Sequence, residues 1–343
     1  MKKVNFSNRK DVFIIAELSA NHNGSLATAI ETIRAAKRAG ADAIKLQTYT
    51  ADTLTIDSKK EDFIIKKGSI WEGKNLYELY KEAHTPWEWH PTLFKVAKQE
   101  GLVCFSSPFD FTAVDFLETL NVPLYKIASF EITDIPLIEY IASKGKPIIL
   151  STGIATKDDI ELALETIREQ GNNEIALLKC TSSYPAPIEE ANLAMIQDLS
   201  KRFGVISGLS DHTLGITAPV TATALGAKII EKHFILNKSI GGPDASFSLD
   251  EKEFTQMVNA VRSTEKAIGK VSYKLTEKQK AGKAFSRSLY VVEDIKKGEI
   301  FTSKNIRSIR PGFGLHPKYK NDLLGKVSKS NYKKGERLQT KEL

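Results

Sequence analysis

Two lysines stand where lysines are costly. Lys45 and Lys126 interrupt short, otherwise largely apolar runs, 42–47 and 123–127, and an ammonium buried there without a partner is strongly disfavoured. Ser107, Ser129, Ser151, Ser182 and Ser210 fall at or just beyond the ends of runs of the same kind. Two cations among hydroxyls and loop amides suit a ligand that carries both phosphate and carboxylate. The plainer reading is that the lysines stretch toward solvent and the serines cap the helices that follow.

His212 and His233 follow the runs 205–209 and 228–232. If those runs are neighbouring strands, the two imidazoles converge, and with Glu231 or Asp244 nearby they suit an open Mn²⁺ or Co²⁺ site completed by water. A closed structural zinc site wants four N/S ligands, which the sequence does not supply. Glu17, Glu131 and Glu231 are candidate acid/base groups, or equally salt-bridge partners of the lysines.

These residues need a scaffold that gathers chain ends. Eight short strand-like runs recur over the first 235 residues: 12–17, 42–47, 102–106, 123–127, 147–151, 175–180, 205–209 and 228–232. Segments of helical periodicity lie between them, at 26–39, 87–100, 134–143, 157–170 and 216–225. Several end in glycine (Gly40, Gly101, Gly145, Gly226), the residue suited to a left-handed helix stop. The pattern predicts an α/β fold, a closed (β/α)8 TIM barrel, whose polar residues gather at the C-terminal strand ends. An open doubly wound sheet is the alternative, but no G-x-G-x-x-G follows any run.

Residues 1–269 are expected to form the barrel and 270–283, polar and lysine-rich, a linker. Residues 284–343 are expected to be a small, mostly β domain. It contains a repeat, with Ile295-Lys-Lys-Gly-Glu matched by Tyr332-Lys-Lys-Gly-Glu, each copy reading as a strand end, a glycine turn and an entering helical turn.

The chain has 343 residues, 41% hydrophobic and 27% charged, which excludes collagen-like and wholly disordered classes. Its net charge of +7 is uneven: residues 271–343 hold 18 Lys+Arg against 7 Asp+Glu. A basic tail could bind nucleic acid, but RNP-like aromatics and zinc-ligand spacing are missing, so no nucleic acid partner is expected. No apolar run approaches a membrane span and the start lacks a signal-peptide core, so a cytoplasmic protein without a membrane partner is expected. Cys104 and Cys180 are then expected to be reduced.

Taken in order, Ile15-Ala-Glu-Leu-Ser-Ala-Asn-His-Asn-Gly24, Lys45-Leu-Gln47, Ser106-Ser-Pro-Phe109, Tyr125-Lys-Ile-Ala-Ser129, Leu150-Ser-Thr-Gly153, Cys180-Thr-Ser-Ser-Tyr-Pro185, Gly208-Leu-Ser-Asp-His212, Glu231-Lys-His-Phe234 and Arg310-Pro-Gly312 resemble the sialic acid synthase family. These are phosphoenolpyruvate-condensing barrel enzymes with an antifreeze-protein-like (SAF, β-clip) C-terminal domain. Ser19-Ala20, Arg287–Tyr290 and Gly312–Pro317 look like the pseudaminate branch; sialate and legionaminate substrates are the alternatives within the family.

The resemblance implies that phosphoenolpyruvate, water and an open-chain 2,4-diacetamido-2,4,6-trideoxy sugar give a nine-carbon acid and phosphate. Lys45, Lys126, Ser107, Ser129, Ser151, Ser182 and Ser210 would hold phosphoenolpyruvate, though some relatives carry Asn where Ser182 stands. Glu17, Gln47, Tyr184 and Asp244 would bind the sugar. His212 and His233 would carry a divalent metal (Mn²⁺, Co²⁺ or Mg²⁺) that polarises the aldehyde, and Glu131 would orient or deprotonate the water. Arg310 would reach the partner's barrel mouth in a domain-exchanged homodimer; without the resemblance it reads as a surface arginine beside a Pro-Gly turn. A Schiff-base aldolase using Lys126, and a carbohydrate- or nucleic-acid-binding protein using the basic tail, are the readings from other classes.

Overall fold

The computed structural model describes residue 6, residues 9–66 and residues 70–343. It divides into two units, Met1–Gly269 and Lys270–Leu343. In the first, eight strands close into a parallel barrel: β1 (Phe13–Glu17), β2 (Ala43–Thr48), β3 (Val103–Pro108), β4 (Tyr125–Ile127), β5 (Ile148–Ser151), β6 (Ile175–Cys180), β7 (Ile206–Asp211) and β8 (Ile229–His233). Closure is made where β1 pairs with both neighbours, aligning Glu17 with Lys45 on one side and with His233 on the other.

Side chains alternate across a strand, and that alternation builds the site. Phe13, Ile15, Phe105, Ile149, Leu178 and Ile229 fill the barrel interior. Two residues further along the same faces come Glu17, Ser107, Ser151, Cys180 and Glu231, so the apolar plug gives way to polar groups at the C-terminal rim. β2 and β4 obey the same rule, with Ala43 and Leu124 in the plug and Lys45 and Lys126 above them.

Helices sheath the barrel. The helix Leu26–Arg38 starts at Ser25, whose hydroxyl accepts from the Thr28 amide, and it buries Ala29, Ile33, Ala35 and Ala36. Gly40 then turns the chain with φ of 90°. A Cβ there would stand 3.0 Å from Val258 Cγ1, so close packing as well as backbone geometry demands glycine.

Several boundaries differ from the sequence expectation. The periodic segment 87–100 splits into a 3-10 turn, Trp87–Trp89, and the helix His90–Gln99, because Pro91 is accommodated only at a helix start. The helix Glu251–Ile268, opened by an Asp250/Glu253 capping box, was not anticipated. Nor was the excursion between β2 and β3, which contains the short helix Ala51–Leu54 and the helix Leu76–Ala83. Among the described residues no helix is long and apolar enough to cross a membrane.

The second unit pairs β9 (Ser288–Val291) antiparallel with β10 (Ile306–Ile309). Its core is Leu289, Val291, Ile295, Phe301, Ile306, Leu315, Leu323, Tyr332 and Leu338. The two repeat copies meet at their first residues, Ile295 bridging Tyr332, and each turns on a glycine, Gly298 (φ 94°) and Gly335 (φ 93°). The expected linker is not wholly irregular: it holds the exposed helix Glu277–Gly282, capped by Thr276.

Candidate active site

The rim of the barrel encloses a pocket of about 490 Å³. On its floor lies a buried charge network. Lys45 Nζ stands 2.8 Å from Glu17 Oε1 and 2.9 Å from Glu231 Oε1. Lys126 Nζ donates to Ser151 Oγ at 2.7 Å and to the Ile127 carbonyl at 3.1 Å, and lies 3.7 Å from Glu231 Oε1. Ser210 Oγ donates to the same glutamate oxygen at 3.0 Å, while Glu231 Oε2 is buried with no hydrogen-bond partner among the described residues.

These contacts set the charge states. Burial alone would push the Glu17 carboxyl up, but His233, Lys45 and Lys126 outweigh it and hold it well below the carboxylate range. Burial pulls Lys45 down, yet Glu17 and Glu231 more than compensate and its pKa rises. Lys126 goes the other way: burial dominates, Lys45 adds repulsion, and its ammonium loses its proton more readily than an exposed lysine.

Glu17 links the lysine floor to the histidines. Its Oε1 accepts from Gln47 Nε2 at 3.0 Å and its Oε2 lies 3.3 Å from His233 Nε2. The His212 and His233 rings are 5.3 Å apart between centroids, and Tyr184 packs on His212 at 4.4 Å. His212 lies one residue beyond β7, and its Nδ1 donates to the Thr181 carbonyl at 3.0 Å, which directs the lone pair to Nε2. His233 Nδ1 is buried without a hydrogen bond among the described residues, 3.7 Å from Asp244 Oδ2.

Those two nitrogens and the neighbouring carboxylate have the chemistry of an open cation site with few protein ligands. No ready-made cluster of three or more His, Cys, Asp or Glu is present among the described residues.

Next to His212, with Cys180 Sγ between them, Ser182 Oγ donates to Ser129 Oγ at 2.8 Å, and both serines line the pocket. Ser107 points inward from β3 beside Gln47, its buried hydroxyl without a partner among the described residues. Glu131 lines the pocket from the turn after β4. Burial raises its pKa to about 7 against the pull of Lys126, and its Oε2 likewise has no partner there. Of the three glutamates, then, Glu17 and Glu231 are committed to ion pairs and Glu131 is left poised to exchange a proton. Arg310 belongs to the second unit, immediately before a cis-proline, Pro311.

Other polar residues near the strand ends serve the scaffold. Asn21 Nδ2 donates to the Phe234 carbonyl and to Ser248, and Ser106 bonds Thr48. Three features of the pocket were missed in the sequence. Cys180 lines it with Sγ 3.8 Å from His212 Nδ1, a position that the alternation Ala176-Leu178-Cys180 could have revealed. Gly153 permits the serine pair, since a Cβ there would lie 2.1 Å from Ser182 Oγ and 2.5 Å from Ser129 Oγ. The third is an apolar wall from the β2–β3 excursion, where the helical spacing of Leu76, Leu79, Tyr80 and Ala83 was a signal the sequence offered.

Fold and site together define a (β/α)8-barrel enzyme built to hold a small anion beside a second, larger substrate. The chain belongs to the NeuB family, which residues 32–273 match, and residues 286–343 match the SAF domain. It is 53% identical to a pseudaminic acid synthase of Campylobacter jejuni subsp. jejuni over 335 residues, 98% of this chain and 97% of the relative. A pseudaminic acid synthase of Helicobacter pylori is 51% identical, covering 92% of this chain and 93% of its own length. Among solved structures, the N-acetylneuraminic acid synthetase of Leptospira borgpetersenii superposes with a TM-score of 0.71 at 31% identity, over 79% of this chain and 90% of that one.

Proposed function

We propose that this chain is a pseudaminic acid synthase, condensing phosphoenolpyruvate with 2,4-diacetamido-2,4,6-trideoxy-L-altrose and water to give pseudaminic acid and phosphate. The reading is carried by the buried Lys45–Glu231–Lys126 floor with its serine hydroxyls, in a chain 53% identical to a protein of that name. Lys45, Lys126, Ser107, Ser129, Ser151, Ser182 and Ser210 take the phosphate and carboxylate, where charge-assisted hydrogen bonds in a water-poor pocket are strong. Glu17, Gln47, Tyr184 and Asp244 hold the sugar so that its aldehyde carbon meets C3 of phosphoenolpyruvate.

His212 and His233 would hold a divalent cation, Mn²⁺, Co²⁺ or Mg²⁺, whose chemistry there is Lewis-acid polarisation of the aldehyde. As the C3–C1 bond forms, positive charge develops at C2 of the three-carbon unit. Glu131, with a pKa of about 7, accepts a proton from the water that adds at C2. The former aldehyde oxygen takes up a proton to become the new hydroxyl, and as the C2–O bond breaks the added C2 hydroxyl gives up its proton to form the carbonyl while phosphate leaves with its bridging oxygen. Arg310 would complete the sugar site of a partner copy in a domain-exchanged homodimer, and a cytoplasmic location fits a reaction that consumes phosphoenolpyruvate.

Phosphate release with phosphoenolpyruvate is the test, run against N-acetylmannosamine and the 2,4-diacetamido-2,4,6-trideoxy sugars of L-altro and D-manno configuration. Turnover of the L-altro sugar is expected. Turnover of N-acetylmannosamine alone overturns the substrate, and no phosphate release from any sugar overturns the reaction.

A further inference from the structure

The pocket is chemically two-sided. Its floor is ionic, but one wall comes from the excursion between β2 and β3, and from there Leu54, Ile65, Trp71, Leu76 and Leu79 face the cavity. The Trp71 indole N–H is already engaged with the Pro243 carbonyl at 3.2 Å, and its ring lies 5.5 Å from that of Tyr184, which packs on His212. Backbone bonds hold Ile65 within the excursion: its amide donates to the Lys74 carbonyl at 2.9 Å and its carbonyl accepts from the Gly73 amide at 2.9 Å. The wall is an apolar surface facing the pocket, separated from His212 by the Tyr184 ring.

We infer that this wall reads C6 of the sugar, accepting the methyl group of a 6-deoxy substrate and rejecting the hydroxymethyl group of its 6-hydroxy counterpart. The inference rests on the proposed condensation and deepens it. C1 of the open-chain sugar must meet phosphoenolpyruvate over the lysine floor, so C6, at the other end of the carbon chain, projects away from the floor toward the loops. A methyl group there gains apolar contact. A hydroxyl in the same place is stripped of water and finds no hydrogen-bonding atom on the side chains of Leu54, Ile65, Leu76 or Leu79.

The test compares kcat/KM for 2,4-diacetamido-2,4,6-trideoxy-L-altrose and its 6-hydroxy analogue, in the wild type and in Ile65→Asn and Leu76→Gln. The wild type should favour the 6-deoxy sugar roughly 100-fold, the usual limit for an apolar pocket facing an added hydroxyl. Each variant should shrink that ratio about tenfold, since the new amide can bond the hydroxyl. Equal turnover of both sugars by the wild type overturns the inference whether or not the variants fold. So does an unchanged ratio in two active variants. If the wild type turns over neither sugar but releases phosphate with N-acetylmannosamine, the proposed substrate is wrong and the wall's role falls with it.

Discussion

Lys232 Nζ lies 2.5 Å from Asp211 Oδ2, and both side chains are sealed from solvent. They occupy the residues just before His233 and His212, on the opposite strand face. Thr213 completes the cage, its carbonyl accepting from Lys232 and its amide donating to Asp211 Oδ1 at 2.9 Å. The pair therefore clamps β7 to β8 directly behind the two imidazoles and sets how far apart they stand.

Removing one partner of this clamp leaves an uncompensated buried charge. Lys232→Met should cost about 3–5 kcal/mol in chemical denaturation, and it should lower kcat more than it raises KM because the histidines lose their spacing. Lys232→Met combined with Asp211→Leu should recover most of the stability and little of the activity. A single-variant cost below about 1 kcal/mol, the range of exposed pairs, would show that the pair does little to hold β7 against β8.

Glu131 should dominate the acid limb of the pH profile. It must be ionised to accept a proton, so with a pKa of about 7 kcat/KM should fall as pH drops below about 7, tenfold per unit. Glu131→Gln should abolish that limb and cost about 100-fold in kcat. Stability should move the opposite way. The folded pKa lies above the ordinary glutamate value of 4.5, so the folded state binds this proton more tightly. The stability it contributes is complete at low pH and is lost as pH rises from about 4.5 through 7. The Glu131→Gln variant avoids that loss and should melt higher than wild type at pH 8.

Gly153→Ala probes the serine pair without touching a charged group. The new methyl would overlap Ser182 Oγ and Ser129 Oγ, forcing at least one hydroxyl out of the pocket. KM for phosphoenolpyruvate should rise about tenfold or more, the worth of one or two hydrogen bonds to a charged ligand, with KM for the sugar nearly unchanged. Equal effects on both substrates would place the serines elsewhere in the reaction.

The histidines can be tested apart from turnover. Mn²⁺ binding measured calorimetrically should be lost in His212→Ala and in His233→Ala, with phosphoenolpyruvate binding, read in the same instrument, reduced less than about tenfold, since the lysine floor remains. Metal binding that survives both substitutions would overturn the assignment.

Much of this protein is written in local pattern. A strand's side chains alternate, so an apolar run that turns polar at its C-terminal end announces both a barrel strand and a rim residue. Lys45, Ser151, Glu231 and His233 could all be read that way, and the motifs around them carried the family. Cys180 obeys the same rule and was overlooked because a cysteine in an apolar run looks like core.

What the pattern could not decide is which groups meet. Lys45 and Glu231 are 186 residues apart, and only closure of the barrel between β1 and β8 makes them partners. That pairing is why Glu17 and Glu231 are spent on lysines, while burial leaves Glu131 to hold a proton near neutrality. The apolar wall is divided: Leu76 and Leu79 sit at helical spacing that the sequence carries, whereas Ile65 and Trp71 lie outside any helix or strand and become part of one surface only once the barrel stands opposite them.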